Sequence, residues 1–247
     1  MGAKLTRRTL IRTGVASAVL PLISAPAIAQ AWPNKQRIRF VVSYPAGGAV
    51  DIFARAYGDY ISKQIGQTVV IENKAGASGS IGAVEVKRAP ADGYTLLFTL
   101  TTTMIMNKVL YKSLPYDPDK DFVLISYMPS GGLPFVVSTD TGATNLKEFI
   151  EYARINRTNV GTYSAGSYSH MVVAELNKQF GLNMEAVHYR GESPMWNDFA
   201  GGSLQAASGS WARARRVPTV RWSVIAGVAA TGLMGVHSVP VWLLARF

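Results

Sequence analysis

Cysteine is absent from this chain of 247 residues, and acidic residues are absent from its two ends. The lack of cysteine excludes a disulfide framework, a thiolate metal site and a cysteine nucleophile. Residues 1–31 carry four basic side chains and no acid, and residues 211–247 carry five and no acid. The other 16 basic and all 15 acidic side chains lie in residues 32–210. The formal net charge of +10 therefore comes from the ends, and it does not indicate a nucleic-acid partner.

Long apolar runs are also scarce, and the first of them has the features of an export signal. Residues 13–29 are uncharged, follow the pair Arg7-Arg8 and end in a small-x-small pattern. They are too short, and too rich in alanine, serine and proline, for a membrane span. This arrangement predicts a secretory signal peptide over residues 1–31 and a periplasmic mature protein. The arginine pair favours the twin-arginine route, with an ordinary Sec signal as the alternative.

The middle of the chain alternates between predicted strands and helices, which is typical of an α/β domain. Apolar runs predict the strands, and apolar residues at helical spacing follow the first of them. In a mostly parallel sheet, ligands bind at the loops beyond the carboxyl ends of the strands. The predicted strands are 37–43, 68–72 and 94–98, and the corresponding loops are 44–51, 73–82 and 99–103.

A second unit with the same pattern starts near Phe135. Thr144 or Asn145 is the predicted cap of its first helix. The predicted elements are a strand at 135–138, a helix at 145–154, a polar loop at 161–170, a helix at 171–180 and a strand at 186–189.

The loop Pro45-Ala46-Gly47-Gly48 combines two features that favour an anion. Glycines let the backbone approach a ligand and turn its N–H groups inward. The helix predicted to follow adds the positive end of its dipole. The loop is therefore predicted to bind a small carboxylate. The alternative is that it is a plain strand-to-helix turn without a ligand. Asp51, near the predicted helix start, is either a ligand contact or a dipole partner or cap of the helix N-terminus.

Hydroxyl groups lie near the ends of other predicted strands. Thr99, Thr101, Thr102 and Thr103 follow the third strand, where a hydroxyl donates to a ligand carboxylate or caps a helix. Tyr44, Tyr163 and Tyr189 are either ligand contacts or core residues with one wet edge.

Cofactor and metal sites are not expected. Gly76, Gly79 and Gly82 do not have the G-x-G-x-x-G spacing, and no suitable acidic residue follows for a ribose contact. The three histidines are scattered along the sequence without the spacing of metal ligands.

A serine hydrolase is the enzyme alternative. Ser164 or Ser169 would act with His170 on the polar loop of the second unit. The chain contains no G-x-S-x-G elbow, and no orienting acid is evident, so we predict that the protein is not an enzyme.

Several motifs occur in the order known from one family. They are Trp32-Pro33, YPAGGxxD at 44–51, the segment 66–82, ADGYTLL at 91–97, the segment 110–122, YSAGSxSH at 163–170 and HYRG at 188–191. From about Trp32 to Ala207 the chain resembles the Bug-type periplasmic solute receptors of the tripartite tricarboxylate transporter system.

This resemblance implies an α/β, two-lobed periplasmic binding protein of the type II-like class. Such a receptor closes around a small organic acid and delivers it to the permease subunits of a membrane transporter, without chemistry of its own. The implied boundaries are 32–130 for lobe one and 131–210 for a partial lobe two. No cofactor and no nucleic acid are expected, and the protein is expected to be a monomer.

The resemblance also implies the ligand contacts. Lobe one would contribute Tyr44, Ala46, Gly47, Gly48, Asp51, Thr99, Thr101 and Thr102. Lobe two would contribute Ser164, Ala165, Gly166, Ser169 and His170, with Tyr189 and Arg190 near the mouth.

Residues 211–247 depart from the family pattern. They lack Asp, Glu, Lys, Asn, Gln and Tyr but hold three of the five tryptophans. The abrupt change predicts a reading-frame shift near residue 210 and an incomplete second lobe and return to lobe one. The alternative is a membrane anchor over residues 222–245, which are uncharged and follow four arginines.

Overall fold

The computed structural model describes residues 32–130, 132–214, 222–228 and 239–246. The chain divides into the units Met1–Lys35 and Gln36–Phe247. Residues 32–35 of the first unit form a turn. The predicted signal peptide lies outside the described residues. All the features described below lie in the unit Gln36–Phe247.

The first sheet has five described strands in the order β2-β1-β3-β10-β4. β1 pairs in parallel with β2 and β3, and β10 pairs antiparallel with β3 and β4. The strands are β1 (Ile38–Val42), β2 (Val69–Asn73), β3 (Thr95–Leu100), β4 (Phe122–Ser130) and β10 (Val239–Arg246).

The second sheet also has five described strands, in the order β7-β6-β8-β5-β9. β6 pairs in parallel with β7 and β8, and β5 pairs antiparallel with β8 and β9. The strands are β5 (Leu133–Ser138), β6 (Asn159–Thr162), β7 (Glu185–His188), β8 (Ala206–Ser208) and β9 (Trp222–Val228).

Helices follow the parallel strands. In chain order they are α1 (Ala49–Ile65), α2 (Ser80–Arg88), α3 (Asn107–Leu110), α4 (Leu146–Ile155), α5 (Tyr168–Phe180), α6 (Glu192–Ala200) and α7 (Trp211–Ala214). A 3₁₀ turn at Ala77–Gly79 precedes α2, and a π-helical turn at Thr102–Met106 precedes α3.

Local sequence signals explain where the helices begin and end. The Asn145 side chain accepts the Glu148 N–H at 3.0 Å and so caps the N-terminus of α4. The Glu148 carboxylate in turn accepts the Thr144 N–H at 2.7 Å, in the manner of a capping box. Gly66 and Gly181 adopt left-handed conformations that end α1 and α5. Of the two predicted caps, Asn145 is therefore the residue that caps the helix.

Buried apolar side chains connect the two lobes. One cluster joins Phe40 and Phe98 of the first sheet to Met195 and Trp196 of α6. A second cluster fills lobe two around Phe149, which is fully buried and lies 5.5 Å from the ring of Phe135. The lobes therefore share part of their core.

The prediction of a two-lobed α/β fold is confirmed, but the sheets are mixed and not mostly parallel. Each sheet has two parallel pairings, centred on β1 or β6, and two antiparallel pairings. In the first sheet, β10 runs antiparallel to both of its neighbours, β3 and β4. In the second sheet, β5 runs antiparallel to both of its neighbours, β8 and β9.

Residues 211–247 carry more structure than the sequence analysis assigns to them. β9 pairs with β5, and β10 lies between β3 and β4. Within the described ranges, no helix is long and apolar enough to cross a membrane. The predicted frame shift concerns the gene and stays a prediction.

Replacing Phe149 by alanine should destabilise lobe two strongly. The substitution leaves a cavity in a fully buried cluster, and such changes cost about 3–5 kcal/mol. The control Ile155→Ala removes a side chain of the same helix that is 86% exposed, and should change the free energy of unfolding by less than about 0.5 kcal/mol. Urea unfolding measures both, and equal effects would contradict this packing.

Candidate functional site

The two lobes meet at a cleft between the loop 44–48, the turn 101–103, the loop 164–170 and the first turn of α6. The Ser193 hydroxyl donates to the Ala46 carbonyl at 2.8 Å, and the Ser78 hydroxyl donates to the Ala165 carbonyl at 3.4 Å. A Cβ on Gly191 would lie 2.3 Å from the Pro45 ring. The lobes are therefore in close contact along this cleft.

A small cavity lies in the cleft. Its volume is about 30 Å³, which is room for about two water molecules and not for an organic acid. Its lining residues come from both lobes and include Tyr44, Gly48, Ala49, Tyr163 and Glu192.

The backbone donors of the glycine-rich loop are largely engaged by the protein itself. The Gly47 N–H donates to Asp51 Oδ2 at 2.9 Å, and Gly47 has φ +77°, which favours glycine. The Gly48 N–H points to the Pro45 carbonyl at 3.4 Å. The Ala49 N–H, at the start of α1, donates to Glu192 Oε2 at 3.1 Å.

Asp51 braces this loop. Its buried carboxylate accepts hydrogen bonds from Gly47 N–H, from Arg55 Nε at 3.0 Å and from Asn73 Nδ2 at 3.0 Å. Burial alone would raise the pKa of Asp51, but these three donors outweigh it and hold the pKa below its ordinary value. The geometry matches the alternative role, as a partner of the helix N-terminus.

A chain of buried hydroxyls lies beside the loop. Ser43 Oγ and Thr99 Oγ1 are 2.5 Å apart, and Thr99 Oγ1 donates to Thr103 Oγ1 at 2.8 Å. The Tyr44 hydroxyl lies 3.4 Å from Thr103 Oγ1, and burial raises the pKa of Tyr44 to about 12. These groups therefore stay protonated near neutral pH. Thr99 belongs to β3, one residue before its end, and does not follow the strand as predicted.

Thr101 and Thr102 are also buried at the start of the π-helical turn. Thr102 lies beside the Tyr44 hydroxyl, and Thr101 lies beside the Tyr168 hydroxyl of lobe two. The Thr103 hydroxyl contacts the Ser78 carbonyl at 3.1 Å, which ties the 3₁₀ turn to the same group.

The lobe-two loop is stabilised mainly by its own hydrogen bonds. Ser167 Oγ caps α5 by accepting the His170 N–H at 3.3 Å, and it also bonds Ser169 Oγ at 2.8 Å. Gly166 has φ +68° and approaches lobe one so closely that a Cβ there would lie 2.0 Å from Leu110. Ser164 Oγ is buried and has no hydrogen-bond partner among the described residues.

His170 is held in one tautomer. Its Nδ1 accepts the Gly166 N–H at 3.1 Å, so the neutral ring carries its hydrogen on Nε2. Burial lowers the pKa of His170, which favours the neutral ring at neutral pH. The His188 ring lies 4.4 Å from that of His170, so these two histidines are scattered only in sequence.

The geometry does not support the hydrolase alternative. The His170 Nδ1 is occupied by a backbone N–H, and Ser169 Oγ accepts the Tyr163 N–H at 3.3 Å. Neither Ser164 nor Ser169 forms a hydrogen bond with the His170 ring in the described part of the chain.

The predicted mouth residues lie apart from the buried groups. The Tyr189 hydroxyl donates to Asp198 Oδ2 at 2.7 Å, and burial together with this carboxylate raises the pKa of Tyr189 to about 12. Arg190 is exposed. These two residues therefore lie at the edge of the cleft.

Glu192 is the cleft residue that sequence analysis missed. It lies in the first turn of α6 and contacts Ala49 of the opposite lobe. The one signal in the sequence is an acid directly after Gly191, which is indistinguishable from an ordinary partner of a helix dipole. Its role depends on a contact between residues 143 positions apart.

Two α/β lobes that face each other across a polar cleft define the class of two-lobed binding proteins. A family model described as "Tripartite tricarboxylate transporter family receptor" matches residues 53–227. The chain belongs to this family.

Individual relatives agree with this assignment. A UPF0065 protein of Bordetella bronchiseptica is 33% identical over 79% of the chain, and the BugT protein of Bordetella pertussis is 29% identical over 74%. The chain spans 58% and 57% of the lengths of these curated relatives.

Solved structures show the same fold. The R. palustris protein Rpa4515 with adipate has a TM-score of 0.78 and 26% identity, over 87% of this chain and 78% of that one. The periplasmic binding protein BugD has a TM-score of 0.76 and 25% identity, over 86% of this chain and 77% of that one. The resemblance stated from motifs is therefore confirmed at the level of family and fold.

The carboxylate of Asp51 should make stability depend on pH. Its folded pKa is below the unfolded value of 3.8, so its contribution is present above that value and is lost as pH falls through the folded pKa. The wild type should therefore lose more free energy of unfolding than Asp51→Asn between about pH 5 and about pH 2.5.

The control is Asp59→Asn, which removes an exposed partner of Lys63 on the same helix. Its pH dependence should match that of the wild type. Urea unfolding at several pH values measures all three proteins. A stability difference between wild type and Asp51→Asn that stays constant with pH would contradict the assignment.

Proposed function

We propose that this protein is a periplasmic receptor that captures a small organic carboxylate between its lobes and delivers it to the permease of a tripartite transporter. The observation that carries the proposal is a pair of unused donors near the start of α5, where the lobes meet: the buried Ser164 hydroxyl, which has no hydrogen-bond partner among the described residues, and the His170 Nε2–H. They lie beside the N-terminus of α5, whose positive dipole end favours an anion.

The proposed contacts are the residues that the sequence predicts for both sides of the cleft. The Nε2–H of His170 and the hydroxyl of Ser164 are the donors that remain for a ligand in lobe two. In lobe one, the proposed contacts are the loop 44–48, part of which lines the cavity, and the buried residues Thr101 and Thr102. Hydrogen bonds to a charged acceptor are stronger than neutral ones, so a carboxylate gains most from these donors.

Binding of an acid requires the lobes to separate first, because the present cavity has room only for water. Separation breaks the contacts of Ser193 with Ala46 and of Ser78 with Ala165. Closure around the ligand is then a domain motion of the kind that two-lobed binding proteins use.

Membership of the receptor family supports delivery to a membrane permease, and the fit to Rpa4515 with adipate supports an organic acid as the ligand. The proposed working form is a periplasmic monomer without a cofactor. A receptor role requires no covalent step at any of these residues.

Calorimetry against a panel of small organic acids should find at least one that binds in a 1:1 ratio. His170→Ala should weaken that binding by about tenfold or more, because it removes a hydrogen bond to a charged acceptor. The control Gln179→Ala, on the exposed far end of the same helix, should leave the affinity unchanged. Failure of every acid to bind folded protein would overturn the proposal.

Export should depend on the arginine pair. Replacing both Arg7 and Arg8 by lysine should abolish the processed protein in the periplasmic fraction, because the twin-arginine route reads both residues. The matched control is Arg12→Lys, which keeps the pair and should be exported normally. Normal export of the double variant would show that the ordinary Sec route is used.

A further inference from the structure

Glu192 places a carboxylate of the protein itself at the lobe-one wall of the cleft. The residue is 9% exposed and lies in the first turn of α6, in lobe two. Its Oε2 accepts the Ala49 N–H at 3.1 Å and the Ser210 hydroxyl at 2.7 Å, and its Oε1 accepts the Ser210 N–H at 2.6 Å. The carboxylate therefore occupies the N-terminus of α1.

Among the described residues, the groups that donate hydrogen bonds to this carboxylate are neutral. In the described ranges of the chain, no lysine or arginine lies within ion-pair distance of Glu192. The dipoles of the first turns of α1 and α6 and of the Ser210 hydroxyl therefore stabilise the charge of the carboxylate. A second anion at this place would meet a negative charge that no direct ion pair compensates.

Two opposing effects act on the proton affinity of Glu192. Burial outweighs the hydrogen bonds from Ser210 and Ala49 and the more distant charge of Arg213, so the pKa of Glu192 is raised above its ordinary value. Both carboxylate oxygens face donors, two backbone N–H groups and the Ser210 hydroxyl, and an ionised carboxylate satisfies all three as an acceptor.

One donor in the same cavity is still unused. The Tyr163 side chain is 3% exposed and lines the cavity together with Glu192, and its hydroxyl has no hydrogen-bond partner among the described residues. Burial and the neighbouring Glu192 raise the pKa of Tyr163, so the hydroxyl keeps its proton. A neutral acceptor on a ligand, such as a carbonyl or amide oxygen, would satisfy it.

We propose that Glu192 determines specificity: it excludes a second carboxylate of the ligand from this end of the cleft, so that the site selects acids with one carboxylate and a neutral polar end. The inference rests on the proposed function, because it assumes that the ligand's own carboxylate lies at the donors of the loop 164–170. Tyr163 then receives the neutral end. Like charges that share a buried site repel strongly, which gives the discrimination.

Pairs of ligands that differ in one charge test this assignment. Succinate, glutarate and adipate are each compared with their monoamides, which keep the shape and replace one carboxylate by an amide. Calorimetry on the wild type should show that the monoamide of at least one pair binds about tenfold or more tightly than its dicarboxylate.

Glu192→Gln removes the charge and keeps the size. It should tighten the dicarboxylate by about tenfold or more and change the monoamide by less than about threefold, so that the preference disappears. The amide nitrogen that this substitution introduces would face a donor, so Glu192→Ala serves as a second variant. Circular dichroism and thermal melting verify that both variants are folded. The control Glu151→Gln removes an equal charge from an exposed site on α4 and should leave every affinity unchanged.

The outcomes separate the two proposals. If acids bind but neither Glu192 variant changes the preference, Glu192 does not determine specificity and the receptor role stands. If the wild type prefers the dicarboxylate, the inference is likewise wrong. If no acid binds any folded variant, the receptor function and this inference both fall.

Discussion

The carboxylate of Glu192 connects the two lobes at the point where the first turn of α1 faces the first turn of α6. A buried carboxylate that receives only neutral hydrogen bonds is costly unless those bonds are well placed. Here Ala49 and Ser210 supply three donors at 2.6–3.1 Å. Glu192 and Ser210 both belong to lobe two, so the bond from the Ala49 N–H of lobe one is the one of the three that holds the lobes together.

Among the described residues, two further hydrogen bonds cross the cleft at its rim. Ser193 bonds the Ala46 carbonyl and Ser78 bonds the Ala165 carbonyl, while shared apolar packing lies deeper, around Trp196. Separation of the lobes at the rim therefore breaks a small number of hydrogen bonds whose partners water can replace. This arrangement suits a protein that must open to admit a ligand that the closed cavity cannot contain.

Local patterns in the sequence predicted much of the fold. The strands around Phe40, Phe98 and Phe135, the cap at Asn145 and the polar loops at the helix starts follow from residue type and spacing. Strand β4 was not predicted, because its apolar run at 122–125 lacks the apolar–polar alternation of a half-buried strand. β9 and β10 were not predicted either, because their positions depend on pairing with distant strands.

The candidate site could be predicted only as far as local sequence determines it. The loops at 44–48 and 164–170 are local features, and the fold brings them to one cleft. That Asp51 braces its own loop depends on Arg55 and Asn73, and the position of Glu192 depends on the closure of two lobes. Such contacts depend on tertiary packing between residues that are far apart in the sequence, and local residue patterns do not predict them.

A crystal structure with the tightest-binding acid from the calorimetric panel tests the central claim most directly. The account predicts the ligand carboxylate in the cleft, within hydrogen-bond distance of donors from the loop 164–170, with Glu192 still at the N-terminus of α1. A ligand bound outside the cleft, with the lobes in their present contact, would contradict it.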